Sequence, residues 1–119
     1  MQMNLNNYVP DRQDIIWINF SPSQGEEITK RRPAVVISSK GYTSITGLTL
    51  VVPITHGVDN RLKDFFIPIQ TNVGIDGFIN PLQLHTFSVK KRRAEFSGEI
   101  VSSFNYAFLQ QRLKQLMYD

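Results

Sequence analysis

Apolar positions along the chain follow two periods. Between residues 14 and 100 they fall in short β-branched and aromatic runs punctuated by proline, glycine and asparagine; after that they recur at three- and four-residue steps. Asp14-Ile15-Ile16-Trp17-Ile18-Asn19-Phe20 reads as a first strand, with Ile16, Ile18 and Phe20 on its core face, closed by the turn residues Ser21-Pro22-Ser23-Gln24-Gly25. Residues 33–37 predict a second strand, apolar on both faces, and residues 40–47 a polar hairpin-length loop. A third strand spans 48–54. Its Pro53 cannot donate to a ladder, which predicts an edge or a bulge there and leaves Thr55 and His56 at a strand end.

Residues 65–69 predict a fourth strand and 94–100 a final one. Between them, 78–87 reads as one extended run in which Leu82, Leu84 and Thr86 alternate with Gln83, His85 and Phe87. Phe104, Phe108, Leu109, Leu113, Leu116 and Met117 then mark an amphipathic helix behind Ser102 or Ser103 as N-cap. Trp17, Phe20, Phe65, Phe66 and Phe108 are expected in the core. Short strands followed by one helix predict a mainly β fold, a small barrel or sandwich with a packed helix.

Composition narrows the class. A chain of 119 residues with 41% hydrophobic and 19% charged positions suits one domain, residues 1–119, with a single core and no staples. There is no cysteine, which excludes disulfides, thiolate metal sites and a cysteine nucleophile. The two histidines, His56 and His85, have no third ligand at metal spacing, so no metal site is expected. The polar leader at 1–7 lacks the basic and apolar regions of a signal peptide, and no apolar run approaches the roughly 18 residues of a membrane span. A cytoplasmic protein that does not engage membranes is the expectation.

The net charge of +3 matters only where it clusters. In Lys30-Arg31-Arg32-Pro33, the proline biases Arg32 toward extended backbone. The guanidinium then projects from a strand start anchored in the core, a placement suited to an anionic ligand; the alternative is a solvated charge cluster. Lys90-Lys91-Arg92-Arg93 is a second cluster, either a solvated turn or a track for phosphates. Tyr42, in the expected loop, is placed to stack on an unpaired base.

Four segments in order carry a resemblance. Tyr8-Val9-Pro10-Asp11 with Asp14-Ile15-Ile16-Trp17-Ile18, Phe20, Pro22, Gly25 and Glu27 comes first, followed by Arg32-Pro33-Ala34-Val35-Val36-Ile37-Ser38, then Val51-Val52-Pro53-Ile54-Thr55, then Gln83. Together they make the chain resemble the MazF/PemK toxins of bacterial toxin–antitoxin pairs. The resemblance implies an SH3-like antiparallel β-barrel (CcdB/MazF/PemK-like) with a C-terminal helix. It also implies a homodimer that cuts single-stranded RNA at short motifs without metal or other cofactor, and an antitoxin with an acidic disordered tail as partner.

Carried over by position, Arg32 is the catalytic arginine and Thr55 the second catalytic residue, while Glu27 matches a loop carboxylate and is the candidate base. An arginine is too weak an acid to serve as base at neutral pH, so its expected role is to stabilise charge. His56, beside Thr55, is a candidate catalyst or substrate contact, although strand alternation turns neighbouring side chains to opposite faces unless the strand has ended there. Lys30, Arg31, Gln83, His85, Lys90, Lys91, Arg92 and Arg93 are candidate RNA contacts. The chain departs from the family pattern at Leu82, where an acidic residue is common, and at His85, where a lysine or arginine is usual. Two other readings on the same fold are a gyrase-poisoning toxin of the CcdB branch and an RNA-binding module that does not cut.

Overall fold

A computed structural model describes residues 7–21, 30–57 and 61–118. Among them, seven strands form one antiparallel sheet: β1 (Asp14–Asn19), β2 (Arg31–Val36), β3 (Leu48–Thr55), β4 (Ile67–Gln70), β5 (Asp76–Ile79), β6 (His85–Ser88) and β7 (Glu95–Ile100). A short helix α1 (Lys40–Thr46) joins β2 to β3, and α2 (Ser103–Tyr118) follows β7. The spatial order is β4-β5-β3-β2-β1-β7, with β6 also paired to β3.

The sheet is buried on both faces, so Ile15 and Ile16 are both fully enclosed although they point in opposite directions. One face carries Ile15, Val35, Val52, Ile54 and Ile79 and is covered by Tyr106, Leu109 and Leu113 of α2. The other carries Ile16, Ile18, Ala34, Val36, Val51 and Phe87. That second face is concave. In a flat sheet β1 and β6, with β2 and β3 between them, would lie about 14 Å apart, yet the Phe20 ring just beyond β1 meets the Phe87 ring of β6 with centroids 5.1 Å apart. The Asn19 N–H also donates to the Arg92 carbonyl at 3.0 Å, tying the end of β1 to the turn after β6. The result is a mainly β half-barrel with a C-terminal helix: the strand and helix periods predict a barrel or sandwich with a packed helix, and the resemblance points to the barrel.

Several local expectations are corrected. Residues 40–47 form a helix and not a loop: Ser39 Oγ caps it by accepting from Tyr42 N, Asp11 Oδ1 accepts from Lys40 N, and Gly47 ends it in the left-handed conformation. Pro53 lies on a central strand. On one side it stands opposite Ala34; on the other, the ladder changes from β6 to β5 across Val52 and Pro53, and that change of partner absorbs the missing N–H. The run 78–87 is two strands separated by a turn in which Asn80 Oδ1 accepts from Leu82 N. The fourth strand starts at Ile67, because Lys63–Phe65 forms a 3-10 turn.

The C-terminal helix is where the period places it, with Ser102 Oγ accepting from Asn105 N at its start. Of the five aromatics expected in the core, Phe65 and Phe108 are exposed, while Trp17, Phe20 and Phe66 are half-buried. Phe108 instead packs edge-to-face on Phe104, which is 73% exposed. No helix among the described residues is long and apolar enough to cross a membrane.

Candidate active site

The concave face gathers the chemistry. On β2, positions 30, 32, 34 and 36 alternate to this face, and Arg32 stands opposite Ile18 of β1. On the other side β2 pairs with β3 through Val36↔Val51, Val35↔Val52 and Ala34↔Pro53. That ladder ends at Ala34↔Pro53; Arg32 and Thr55 each lie one pleat beyond it, and alternation along β2 and β3 turns both to the concave face. Arg32 is half-buried and, among the described residues, its guanidinium has no hydrogen-bond or ion-pair partner. A partly desolvated, unpaired guanidinium at the end of a rigid strand is receptive to an oxyanion.

Thr55 is the last residue of β3 and is half-buried. Its hydroxyl donates to the Gly57 carbonyl at 3.1 Å, which leaves the oxygen lone pairs free to accept. His56 is exposed in the bend just past the end of β3, where strand alternation no longer sets its direction.

An aromatic cluster lies on the same concave face. Phe20 packs edge-on against both His85 and Phe87 at 5.1 Å, and His85 stacks on Phe87 at 5.0 Å. Arg92 lies over the Phe87 ring at 4.4 Å and donates through Nη1 to the Phe20 carbonyl at 2.6 Å and the Asn19 carbonyl at 3.3 Å. Burial, and secondarily the charge of Arg92, holds the His85 imidazole below its ordinary pKa and so favours the neutral ring. Beyond β1, the Phe20 N–H donates to the Lys30 carbonyl at 2.7 Å, which sets Phe20 beside the basic strand entry. Phe20, read from sequence as core, is thus also a wall of the site. Its alternation with Ile18 was the available signal.

The remaining candidates separate. Arg31 points to the opposite face, where it forms an ion pair with Glu95 and donates to Asn19 Oδ1 at 3.0 Å. Arg92 is committed to backbone carbonyls and a ring, as described. Lys30, Lys90, Lys91 and Arg93 are exposed, the last three on the turn that bonds to the end of β1. Gln83 is exposed on the turn after Asn80, whose N–H donates to the Pro53 carbonyl at 2.9 Å. Tyr42 lies in α1 and is half-buried. Glu27 lies outside the described residues. Among the described residues no three His, Cys, Asp or Glu side chains cluster at metal-binding distance.

A curled antiparallel sheet whose concave face carries an arginine without a partner among the described residues, a threonine hydroxyl and aromatic rings defines a small β-barrel protein with a candidate anion site. Within that class the family is shown by comparison: the chain belongs to the PemK-like, MazF-like toxins of type II toxin–antitoxin systems, whose family model matches residues 11–117. It is 32% identical over 91 residues to the endoribonuclease toxin ChpB of Escherichia coli K12, a match covering 74% of this chain and 78% of that protein. A stretch of 48 residues is 50% identical to the endoribonuclease toxin MazF of E. coli K12 and spans 40% of this chain and 43% of that protein. Among solved structures, a MazE–MazF crystal structure from Deinococcus radiodurans superposes with a TM-score of 0.81 at 30% identity, covering 93% of this chain and 97% of that one.

Proposed function

We propose that the protein is the toxin of a type II toxin–antitoxin pair and acts as a metal-independent endoribonuclease on single-stranded RNA. What supports this reading is that strand alternation turns both Arg32 and Thr55 to the concave face, each one pleat beyond the Ala34↔Pro53 pair. Relatives named endoribonuclease toxins support the activity.

The reaction is attack of a ribose 2′-hydroxyl on the adjacent phosphorus. A 2′-O–P bond forms, the P–O5′ bond breaks, the 2′ proton passes to a base, and the 5′ oxygen takes up a proton as it leaves. The products are a 2′,3′-cyclic phosphate and a 5′-hydroxyl. Arg32 binds the phosphate through its planar fork and stabilises the charge that grows on the phosphorane oxygens. Thr55, its own proton held by Gly57, presents an acceptor that holds the 2′-hydroxyl in place before that hydroxyl turns its proton to the base. Glu27 is assigned as the base. Phe20 and His85 offer a stacking surface for an unpaired base, Gln83 a base-edge contact, and Lys30, Lys90, Lys91 and Arg93 a backbone track.

The toxin works as a homodimer in the cytoplasm, and its partner is a cognate antitoxin with an acidic disordered segment. The Deinococcus relative, solved as MazE–MazF, supports an antitoxin partner. The test is incubation of the purified chain with a defined oligoribonucleotide in excess chelator, with product ends mapped by mass spectrometry. Cleavage to cyclic-phosphate ends that falls by about 10²–10³-fold in Arg32→Ala is expected. Loss of cleavage in chelator, full activity of Arg32→Ala, or growth arrest with intact messenger RNA would overturn the reading.

A further inference from the structure

Gly77 lies in β5 with φ of 147°, in a region that side-chain-bearing L-residues rarely adopt. β5 pairs with the end of β3 through Ile54↔Ile79 and Thr55↔Phe78, and with β4 through Ile69↔Gly77. A Cβ built on Gly77 would fall 2.3 Å from the Thr55 carbonyl oxygen and 3.1 Å from its carbonyl carbon, whereas real Cβ contacts essentially never close below 3.0 Å. Its other neighbour, Ile54 Cγ2, would be at an ordinary 3.5 Å. The constraint at Gly77 is therefore directed at one peptide group, the one that carries Thr55 into His56.

We propose that Gly77 is a positioning residue for catalysis: its bare α-carbon lets β5 seat against the Thr55 carbonyl and so fixes where the Thr55 hydroxyl meets Arg32. This rests on the reading of Arg32 and Thr55 as the reaction centre. Any side chain at 77 must push the Thr55 peptide away, and the hydroxyl and its Gly57 acceptor move with that peptide. Gly98 is the built-in comparison. It too has positive φ, at 97°, on edge strand β7, but a Cβ there would meet nothing within 4 Å. The two glycines share a conformation that would strain any side-chain-bearing residue and differ in what a methyl group would displace.

The experiment compares full-length wild type, Gly77→Ala, Gly98→Ala, Thr55→Val and the Gly77→Ala/Thr55→Val double variant by urea melting, RNA affinity, single-turnover cleavage and the NMR amide and methyl signals of Thr55. A displacement near 1 Å at a reacting group costs about 10²-fold in rate, so Gly77→Ala loses cleavage on that order with RNA affinity within about twofold. In the Thr55→Val background the same substitution adds less than about threefold, because the hydroxyl it would misplace is already gone. Gly98→Ala cleaves as wild type does. Wild-type cleavage by Gly77→Ala, or losses that multiply in full in the double variant, overturns the proposal. So does a Gly77→Ala chain that fails to fold, since the bare α-carbon would then serve the fold and not the placement of the Thr55 hydroxyl. If the wild type itself does not cut RNA, the nuclease reading fails separately. The positional claim is then decided by the Thr55 signals: shifted signals in Gly77→Ala uphold it, and signals that superpose on wild type overturn it.

Discussion

Arg32 on β2 and Thr55 on β3 belong to neighbouring antiparallel strands and alternate to the same concave side of the sheet, each one pleat beyond the pairing of Ala34 with Pro53. A planar cation and a hydroxyl are thereby held by backbone ladders, so substrate binding does not have to assemble them. Arg32→Ala is expected to lower single-turnover cleavage by about 10²–10³-fold, the usual loss when one donor to a developing oxyanion is removed. Arg32→Lys restores only part of it, because a point charge replaces a two-pronged donor. Thr55→Val keeps the shape and loses the rate, whereas Thr55→Ser retains most of it. Gel assays with one end-labelled oligoribonucleotide check all four.

The basic turn divides into one structural arginine and three solvent-facing cations. Arg92→Ala is expected to cost about 1–3 kcal/mol in urea unfolding, because its hydrogen bonds to the Asn19 and Phe20 carbonyls are charge-assisted and partly buried. Lys90→Ala, Lys91→Ala and Arg93→Ala leave the unfolding midpoint nearly unchanged. Each instead lowers the dependence of log affinity on log salt by about 0.7 if it contacts one phosphate of a single strand.

His85 gives the fold an acid-side weakness. Its pKa is lowered in the native state by burial and then by Arg92. Between that lowered value and the ordinary imidazole value of about 6.5, the unfolded chain binds a proton that the folded chain refuses. Stability therefore falls as pH drops below about 6.5, and above it His85 contributes no pH dependence. Urea midpoints measured from neutral to mildly acid pH should decline less in His85→Leu than in wild type. In Arg92→Ala the His85 ring signals should titrate at higher pH than in wild type.

Leu109 is fully buried where α2 covers the convex face, in contact with a cluster that includes Ile15 and Val52. Leu109→Ala is expected to destabilise by about 2–5 kcal/mol. The same substitution leaves the rate per folded molecule unaltered, since the site lies across the sheet. Activity normalised to the folded fraction separates the two effects.

Much of this architecture is legible in the residues. The β-branched runs locate β1, β2 and β3, the change of period locates α2, and Pro33 reports that Arg32 is extended. What escapes is decided at long range. Residues 40–47 look like a loop because a helix of seven residues shows no apolar stripe, and one of its caps comes from Asp11. Arg31 and Arg92 look equivalent to their basic neighbours until Glu95, Asn19 and Phe20 are brought beside them by the closure of the sheet. Phe20 looks like plain core because period-2 alternation tells which face a side chain takes, without telling that the face curls into a site.

The alternation at Arg31 and Arg32 also bears on how a gene for such a toxin would lose its potency. One guanidinium serves the edge of the fold and the next serves the proposed chemistry, and only strand register tells them apart. A single-codon insertion or deletion that slid β2 by one position would exchange their faces and turn the Ala34 and Val36 side chains out of the inner core. Composition and charge would be almost untouched. Inactivated alleles of this kind would escape a search for substitutions at the site, and they should be sought among in-frame length changes between β1 and β2.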